Sequence, residues 1–160
     1  MKLLIFAGSI RLNSFNRKLA AVAAGLARAS GAEVTHIELA DFDIPMYNAD
    51  LEARGTPPDV MKLKQLMHEH PAWTDEFKFS RGKVVGILSA SPGALGGLRS
   101  QSHLAPLLLN VQCWVAPRNF ALGRAGDAFG AQGQLLNDVH RQNVQAVIDQ
   151  VLFAAGRLAA

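Results

Sequence analysis

Short apolar runs alternate with segments of helical periodicity along this chain, and this alternation constrains the fold more than any other feature. Continuous apolar runs at residues 3–8, 84–91 and 113–117 predict core strands, the first two buried on both faces, and residues 33–39 predict an edge strand. Helical spacing of apolar residues predicts helices at 16–30, 60–69, 97–111 and 138–158, the second capped by Asp59. The sequence therefore predicts a doubly wound parallel α/β fold of three layers, as one domain over residues 1–160.

Composition narrows the class of protein further. The apolar content of 49% and the charged content of 18% are typical of a globular domain, and no apolar stretch is long enough to span a membrane. The opening apolar run of about five residues is shorter than the roughly 7–15 residues of a signal-peptide core. A single cysteine, Cys113, predicts a buried, inert thiol in a reducing cytoplasm. A net charge of +3 suits an anionic small ligand, and no basic run with interleaved aromatic residues indicates nucleic-acid binding.

A polar loop follows the first predicted strand directly. Ser9, Arg11, Ser14 and Asn16 supply hydrogen-bond donors where the next helix begins, and such a position favours a phosphate group. The alternative is that Ser14 or Asn16 only caps the helix. The loop lacks the lysine of a nucleoside-triphosphate loop and the glycine spacing of a dinucleotide fingerprint. A single phosphate monoester is therefore the better match.

A second loop, residues 89–99, follows the strand predicted at 84–91. Its glycines, Gly93, Gly96 and Gly97, leave room for close approach of a flat ligand to the backbone. An ordinary glycine-rich turn is the alternative, and for this loop alone it is the better interpretation. Because both loops follow parallel strands, the two together favour one ligand with a phosphate and a planar part.

Other candidate sites are weaker. His68 and His70 lie two apart on a predicted helix and so face different directions, which excludes a metal pair. Ser89 and Ser91 have no partners for nucleophilic catalysis. Arg118 and Arg124 follow the last strand. They are interpreted as solvated charges, with contact to the phosphates of a nicotinamide cofactor as the alternative.

Three stretches together resemble the NAD(P)H-dependent FMN reductase family, which includes bacterial chromate and quinone reductases. The motif G-S-x-R-x-x-S-x-N at residues 8–16 is similar to its flavin-phosphate loop. The stretch D-I-P-M-Y-N-A-D-L-E at 43–52 and S-A-S-P-G-A-L-G-G-L-R at 89–99 resemble its second and third conserved segments.

The resemblance implies a flavodoxin-like fold, non-covalently bound FMN and transfer of a hydride from NADPH or NADH through FMN to an acceptor. Acceptors in the family include quinones, azo compounds, free flavin and metal oxyanions such as chromate. It implies a homodimer or homotetramer with no catalytic acid–base pair from the protein. The implied cofactor-binding residues are Ser9, Arg11, Ser14, Phe15, Asn16, Ser91, Pro92, Gly93, Gly96 and Gly97.

The chain departs from the family between His70 and Trp73, where a central strand, a P-E-Y-N segment and a helix are missing. Given strand and crossover lengths, so short a chain cannot supply this block of about 25 residues elsewhere. The sheet is therefore predicted to have four strands instead of five. Three outcomes are open: direct pairing of the first strand with strand 84–91, a swapped or altered dimer, or a variant that binds flavin poorly. Trp73 and Phe77 are predicted to cover the apolar surface that loss of the central strand leaves exposed. The alternative function is a non-catalytic flavodoxin-like module that acts through ligand binding or self-association.

Overall fold

The computed structural model describes residues 1–70 and 82–158, so Trp73 and Phe77 lie outside the described residues. The strands are β1 (Lys2–Ala7), β2 (Glu33–Glu38), β3 (Val84–Val85), β4 (Leu88–Ala90), β5 (Trp114–Val115) and β6 (Phe120–Leu122). The helices are α1 (Phe15–Ala29), α2 (Ala49–Ala53), α3 (Pro58–Glu69), α4 (Leu98–Asn110) and α5 (Asp138–Leu158), with single 3₁₀ turns at Leu39–Asp41 and Ala125–Asp127. The predicted alternation of strands and helices is confirmed.

Every ladder between these strands is parallel. β1 pairs with β2, with Lys2 opposite Glu33 and Ala7 opposite Glu38. β3 pairs with β5 and β4 pairs with β6, which together form one interrupted ladder between two extended segments of the chain. The described residues therefore hold four extended segments in two parallel pairs, which agrees with the predicted parallel α/β architecture.

The strand predicted at 84–91 is broken at Gly86 and Ile87, and the position of α5 explains the break. A Cβ atom built on Gly86 would lie 2.8 Å from the side chains of both Val147 and Val151, so the helix packs directly on the backbone there. The Ile87 N–H donates instead to Asn119 Oδ1 at 3.3 Å. A side-chain hydrogen bond thus bridges the gap in the ladder.

Helices α1 and α5 pack against each other and provide most of the core. The buried face of α1 is made of Leu19 and small alanines, which allows the helix to lie close to β1, β2 and β4. α5 contributes the branched residues Val144, Val147, Ile148 and Val151. Helix α4 packs against β4 and β5.

The first strand is less buried than its apolar sequence predicts. Among the described residues β1 pairs only with β2, and no ladder joins it to β4, so direct pairing with the segment at 84–91 is not found. Of its six residues only Ala7 is buried, and the Phe6 side chain is 40% exposed. The prediction of a strand buried on both faces is wrong here because no described strand lies on the far side of β1. Trp114 in β5 is likewise 60% exposed.

Candidate functional site

The loop between β1 and α1 contains a buried hydroxyl with no partner. Ser14 occupies the N-cap position of α1 with extended backbone angles, but its side chain makes no capping hydrogen bond. The residue is 1% exposed, and its Oγ has no hydrogen-bond partner among the described residues. Leaving such a group unpaired costs about 1–3 kcal/mol. The interpretation of Ser14 as a simple helix cap is therefore wrong, and the orphaned hydroxyl fits a site for a ligand acceptor such as a phosphate oxygen.

Two arginines act differently in this loop. The Arg17 guanidinium is paired with Glu38 Oε2 at 2.6 Å and also donates to Arg11 O at 3.2 Å, which fastens the loop to the end of β2. The exposed Arg11 side chain has no partner within residues 1–70 and 82–158. Arg11 is therefore the cation available to an anionic ligand. Arg17 and Glu38 were not singled out in the sequence, although the adjacent ends of β1 and β2 bring them together.

Asn16 joins the first loop to the second. Its Oδ1 accepts a hydrogen bond from the backbone N–H of Ala90 at 2.8 Å, at the point where β4 ends. The oxygen is thus engaged, and only the amide NH₂ group remains to donate to a ligand. Phe15 stacks on Phe129 with ring centroids 6.3 Å apart, and it packs against the core. Ser9, at the start of the loop, is half-buried.

Two glycines of the second loop are required by the backbone itself. Gly96 has φ +60°, and a Cβ there would lie 2.5 Å from the carbonyl carbon of Leu122. Gly97 has φ +85° at the N-cap of α4, and its Cβ would lie 3.1 Å from the Ser89 side chain. Their lack of side chains allows the loop to pack on β6 and Ser89. Contact of these glycines with a planar ligand stays a prediction.

The remaining predicted residues of this loop lie nearer the surface. Ser91 is half-buried, and its Oγ accepts from the Gly93 N–H at 3.3 Å. Pro92 and Gly93 are exposed, and a Cβ on Gly93 would meet only Ser91 Oγ at 3.7 Å. These three residues are therefore the part of the second loop that is accessible to a ligand.

A buried glutamine fixes the second loop. Gln101 is 6% exposed and donates to Ser89 Oγ and to Phe120 O, both at 2.8 Å, while Ser89 Oγ donates to Gly96 O at 2.7 Å. These bonds tie α4 to β4, β6 and the loop, and they give Ser89 a positioning role in place of a nucleophilic one. Sequence reasoning missed Gln101 because a glutamine within a helix does not by itself indicate burial.

The segment at 43–52 is held by Asp59. Asp59 Oδ2 accepts from the Asp43 N–H at 2.8 Å, so the predicted capping role of Asp59 is wrong; α3 begins at Pro58, and Asp59 lies in its first turn. Asn48 caps α2. Met46 and Tyr47 are 91% and 78% exposed, and the hydrogen bond that Tyr47 donates to Glu52 raises the pKa of the phenol.

Cys113 is buried as predicted, and burial raises the pKa of its thiol. Burial lowers the pKa of the neighbouring Lys83, whose ammonium donates to the carbonyl oxygens of Met67 and His70 at the end of α3. His70 itself bridges Leu66 O and Thr35 Oγ1, at 2.6 and 2.7 Å. Within the described part of the chain there is no cluster of potential metal ligands and no helix long and apolar enough to cross a membrane.

Comparison with known proteins decides the family. A model of the NADPH-dependent FMN reductase family matches residues 1–74 and 73–127. The chain is 31% identical to an NAD(P)H-dependent FMN reductase of Pseudomonas aeruginosa, over 99% of this chain and 97% of the relative. The chain belongs to the NADPH-dependent FMN reductase family.

Further similarities agree with this assignment. A quinone reductase of Pseudomonas putida is 29% identical over 91% of this chain and 90% of its own length. The solved structure of FerB, a flavoenzyme NAD(P)H:(acceptor) oxidoreductase from Paracoccus denitrificans, superposes with a TM-score of 0.79 at 23% identity over 97% of each chain, which shows the shared fold. The predicted flavodoxin-like fold, the oxidoreductase class and the FMN and NAD(P)H of an FMN reductase are confirmed at the level of the family.

The comparisons also locate the shortening of this FMN reductase. The alignment with the P. aeruginosa relative covers 185 positions, 25 more than the 160 residues of this chain, so at least 25 positions of that alignment are gaps here. The family model matches in two segments that meet at residues 73–74, close to the predicted break after His70. This is the stretch that would follow α3 and precede β3.

Proposed function

We propose that this chain binds FMN through the loop between β1 and α1 and passes a hydride from NAD(P)H through FMN to a quinone. The orphaned Ser14 hydroxyl carries this proposal, because a buried donor without a partner at a strand's carboxyl end suits a phosphate oxygen. The relatives named quinone reductases favour a quinone over azo compounds, free flavin or chromate as acceptor.

The protein's part in this reaction is to bind and orient. Ser14 Oγ and the Arg11 guanidinium would hold the phosphate, with Ser9 and the Asn16 amide beside them, while Phe15 supports the loop from the core. Arg11 is suited to bidentate phosphate contact.

We assign binding of the ring end of FMN to the second loop. Ser91, Pro92 and Gly93 would border the isoalloxazine ring, with Gly96 and Gly97 shaping the turn behind them. FMN, when bound, supplies the hydride chemistry, so the protein needs no acid–base pair.

A flavin titration of the purified full-length chain tests the proposal. Quenching of FMN fluorescence gives the dissociation constant for the wild type, for Arg11→Ala and for the control Arg28→Ala. Arg28 is exposed in the last turn of α1, at the opposite end of that helix, so its removal changes the net charge equally. Loss of a charge-assisted phosphate contact weakens binding about tenfold or more, so we expect that loss for Arg11→Ala and less than about twofold for Arg28→Ala.

The outcome also decides between an enzyme and a non-catalytic module. Bound FMN that NAD(P)H bleaches, and that a quinone then reoxidises, supports the enzyme. A folded protein that fails to bind FMN contradicts the proposal and favours the module, in keeping with the absent positions after α3 and the missing ladder between β1 and β4 among the described strands.

We also propose that the protein lies in the cytoplasm and that it self-associates. Helix α4 carries leucines that are 42–60% exposed, namely Leu98, Leu104, Leu107 and Leu109. With about 3.6 residues per turn, Leu98 and Leu109 lie on one side of α4 and Leu104 and Leu107 on another. Exposed apolar side chains of this kind favour contact with a second copy, as a homodimer or homotetramer. Sedimentation equilibrium measures this state, and Leu107→Glu is expected to shift the protein toward monomer. A wild-type monomer at all concentrations contradicts it.

A further inference from the structure

A cavity lies after β6, between the second loop and the start of α5. It has a volume of about 640 Å³ and is lined by Ala94, Gly123, Arg124, Asp127, Ala128, Leu136, Asn137 and His140. A volume of this size is within the usual range for small-ligand sites, roughly 300–1,000 Å³. Ala94 belongs to the second loop, so the cavity borders the region proposed for the flavin ring.

The backbone presents Arg124 to this cavity in a constrained conformation. Arg124 has φ 50° and ψ 42°, a left-handed conformation that residues other than glycine rarely adopt. Its N–H donates to Gly93 O at 3.1 Å, and the next N–H donates to Ser91 O at 3.0 Å. A Cβ at Gly123 would collide with the carbonyl oxygen of Ala94, so the two loops interlock closely.

The side chains around the cavity combine one cation with neutral and acidic groups. The exposed Arg124 guanidinium has no partner among the described residues. The His140 ring packs against Phe120 with centroids 5.9 Å apart, and its buried Nδ1 likewise lacks a partner in the described part of the chain. The α5 N–H groups of Val139 and His140 are already satisfied by Asn137 Oδ1, at 2.8 and 3.4 Å. These two N–H groups are therefore not free to bind a ligand.

This set of groups selects among anionic ligands. Arg124 attracts a phosphate, whereas the nearby Asp127 carboxylate repels a free phosphate ion but accepts hydrogen bonds from hydroxyl groups. Ala94, Ala128 and Leu136 provide an apolar wall against which a sugar or a base can pack. A phosphorylated nucleoside satisfies all three requirements.

We propose that this cavity holds the phosphorylated adenosine end of NADPH, with Arg124 pairing with the 2′-phosphate. The assignment rests on the proposed function, because it places the electron donor next to the loop that would border the flavin. It makes Arg124 a specificity-determining residue that favours NADPH over NADH.

Binding of adenosine 2′,5′-bisphosphate to the FMN-free full-length chain tests the assignment by calorimetry. Arg124→Gln is compared with Arg141→Gln, which removes the same charge at the same end of α5 from an exposed residue paired with Asp138 at 2.8 Å. We expect Arg124→Gln to weaken binding about tenfold or more, consistent with loss of a charge-assisted pair. Arg124→Lys should retain part of the affinity, and Arg141→Gln should change it less than about twofold. Thermal unfolding confirms that each variant is folded.

Several results would overturn the assignment. Equal losses for the two glutamine variants indicate a general charge effect. Adenosine binding as tightly as its bisphosphate removes the role of the phosphates. Displacement of the bisphosphate by FMN places it in the first loop instead. FMN titration in parallel separates the two proposals: a chain that binds the bisphosphate through Arg124 but not FMN retains this cavity and refutes the proposed function.

Discussion

The two loops that follow β1 and β4 differ in how their polar groups are satisfied. In the first loop, Ser14 Oγ is buried without a partner and the Arg11 side chain is exposed without one among the described residues. In the second loop, Ser89 Oγ donates to Gly96 O and accepts from Gln101. The first loop therefore has polar groups left free for a ligand, and the second uses its polar groups to hold its own shape. Substitutions should accordingly affect ligand binding in the first and stability in the second.

The largest effect is expected for Gly96→Ala. A Cβ at this position lies 2.5 Å from the Leu122 carbonyl carbon and the backbone is left-handed, so the second loop must separate from β6. We expect a loss of about 3 kcal/mol or more in the free energy of unfolding, measured by urea denaturation. Gly93→Ala is the matched control, because its Cβ meets only Ser91 Oγ at 3.7 Å. Comparable losses for the two variants contradict the interlocked packing.

The next effect is expected for Gln101→Leu. The variant keeps the side chain's bulk but leaves Ser89 Oγ without its donor from α4 and Phe120 O without its side-chain donor. The cost of the lost and unpaired groups is about 2 kcal/mol. Ser102→Ala, at the exposed neighbouring position, should change stability by less than about 0.5 kcal/mol. A Gln101→Leu protein as stable as the wild type would show that these bonds contribute little.

A smaller loss is expected for Asn16→Leu, at the contact between the two loops. The variant removes the acceptor of the Ala90 N–H, and this loss should lower the free energy of unfolding by about 1–2 kcal/mol. Asn16→Asp keeps an acceptor oxygen and should recover most of that stability, while its added negative charge weakens FMN binding. Thermal unfolding measures both variants. If Asn16→Asp is as unstable as Asn16→Leu, the hydrogen bond to the Ala90 N–H does not account for the loss.

The smallest effect on stability, and the sharpest test of the first loop, is expected for Ser14→Ala. An N-cap serine usually contributes about 0.5–2 kcal/mol, but this hydroxyl makes no capping bond. Removing the hydroxyl relieves the cost of an unpaired group but leaves a small void, and the two effects oppose each other. The ligand-free variant should therefore unfold within about 0.5 kcal/mol of the wild type or be slightly more stable. FMN binding should weaken about tenfold, as fluorescence quenching measures. A clear loss of stability would show that Ser14 caps α1 in solution.

The sequence predicted the positions of both loops but not the roles of their residues. Apolar runs mark where the strands lie, and the polar residues that follow them mark the ligand edge. The break at Gly86 depends on the position of valines 61 and 65 residues later in the chain, Val147 and Val151. The burial of Gln101 and the partnerless state of Ser14 depend on side-chain directions that only the packed fold determines.

Burial of the first strand was the clearest error, and the missing block explains it. A continuous apolar run is typical of a central strand in a parallel sheet, which has a neighbouring strand on each side and is covered on both faces. Here the alignment with a relative has at least 25 more positions than the chain has residues, the family model matches in two segments that meet at residues 73–74, and β1 keeps one described neighbour. The run LLIFAG still has the apolar character of a central strand, and Phe6 is left 40% exposed.

The division into two strand pairs has a consequence for how the molecule folds. Each pair joins chain segments separated by a single crossover helix, α1 between β1 and β2 and α4 between β4 and β6. The paired residues within each pair are 31 or 32 positions apart, as for Lys2 with Glu33 and Leu88 with Phe120, whereas Asn16 and Ala90, which join the two pairs, are 74 positions apart. Closing the shorter loops costs less chain entropy, so we expect each pair to form before the two dock. The two units share α1 and the bond between Asn16 and Ala90. We therefore expect the amide protons of β1 to exchange through opening of the first unit alone, faster than those of β4, which exchange only when the whole domain unfolds.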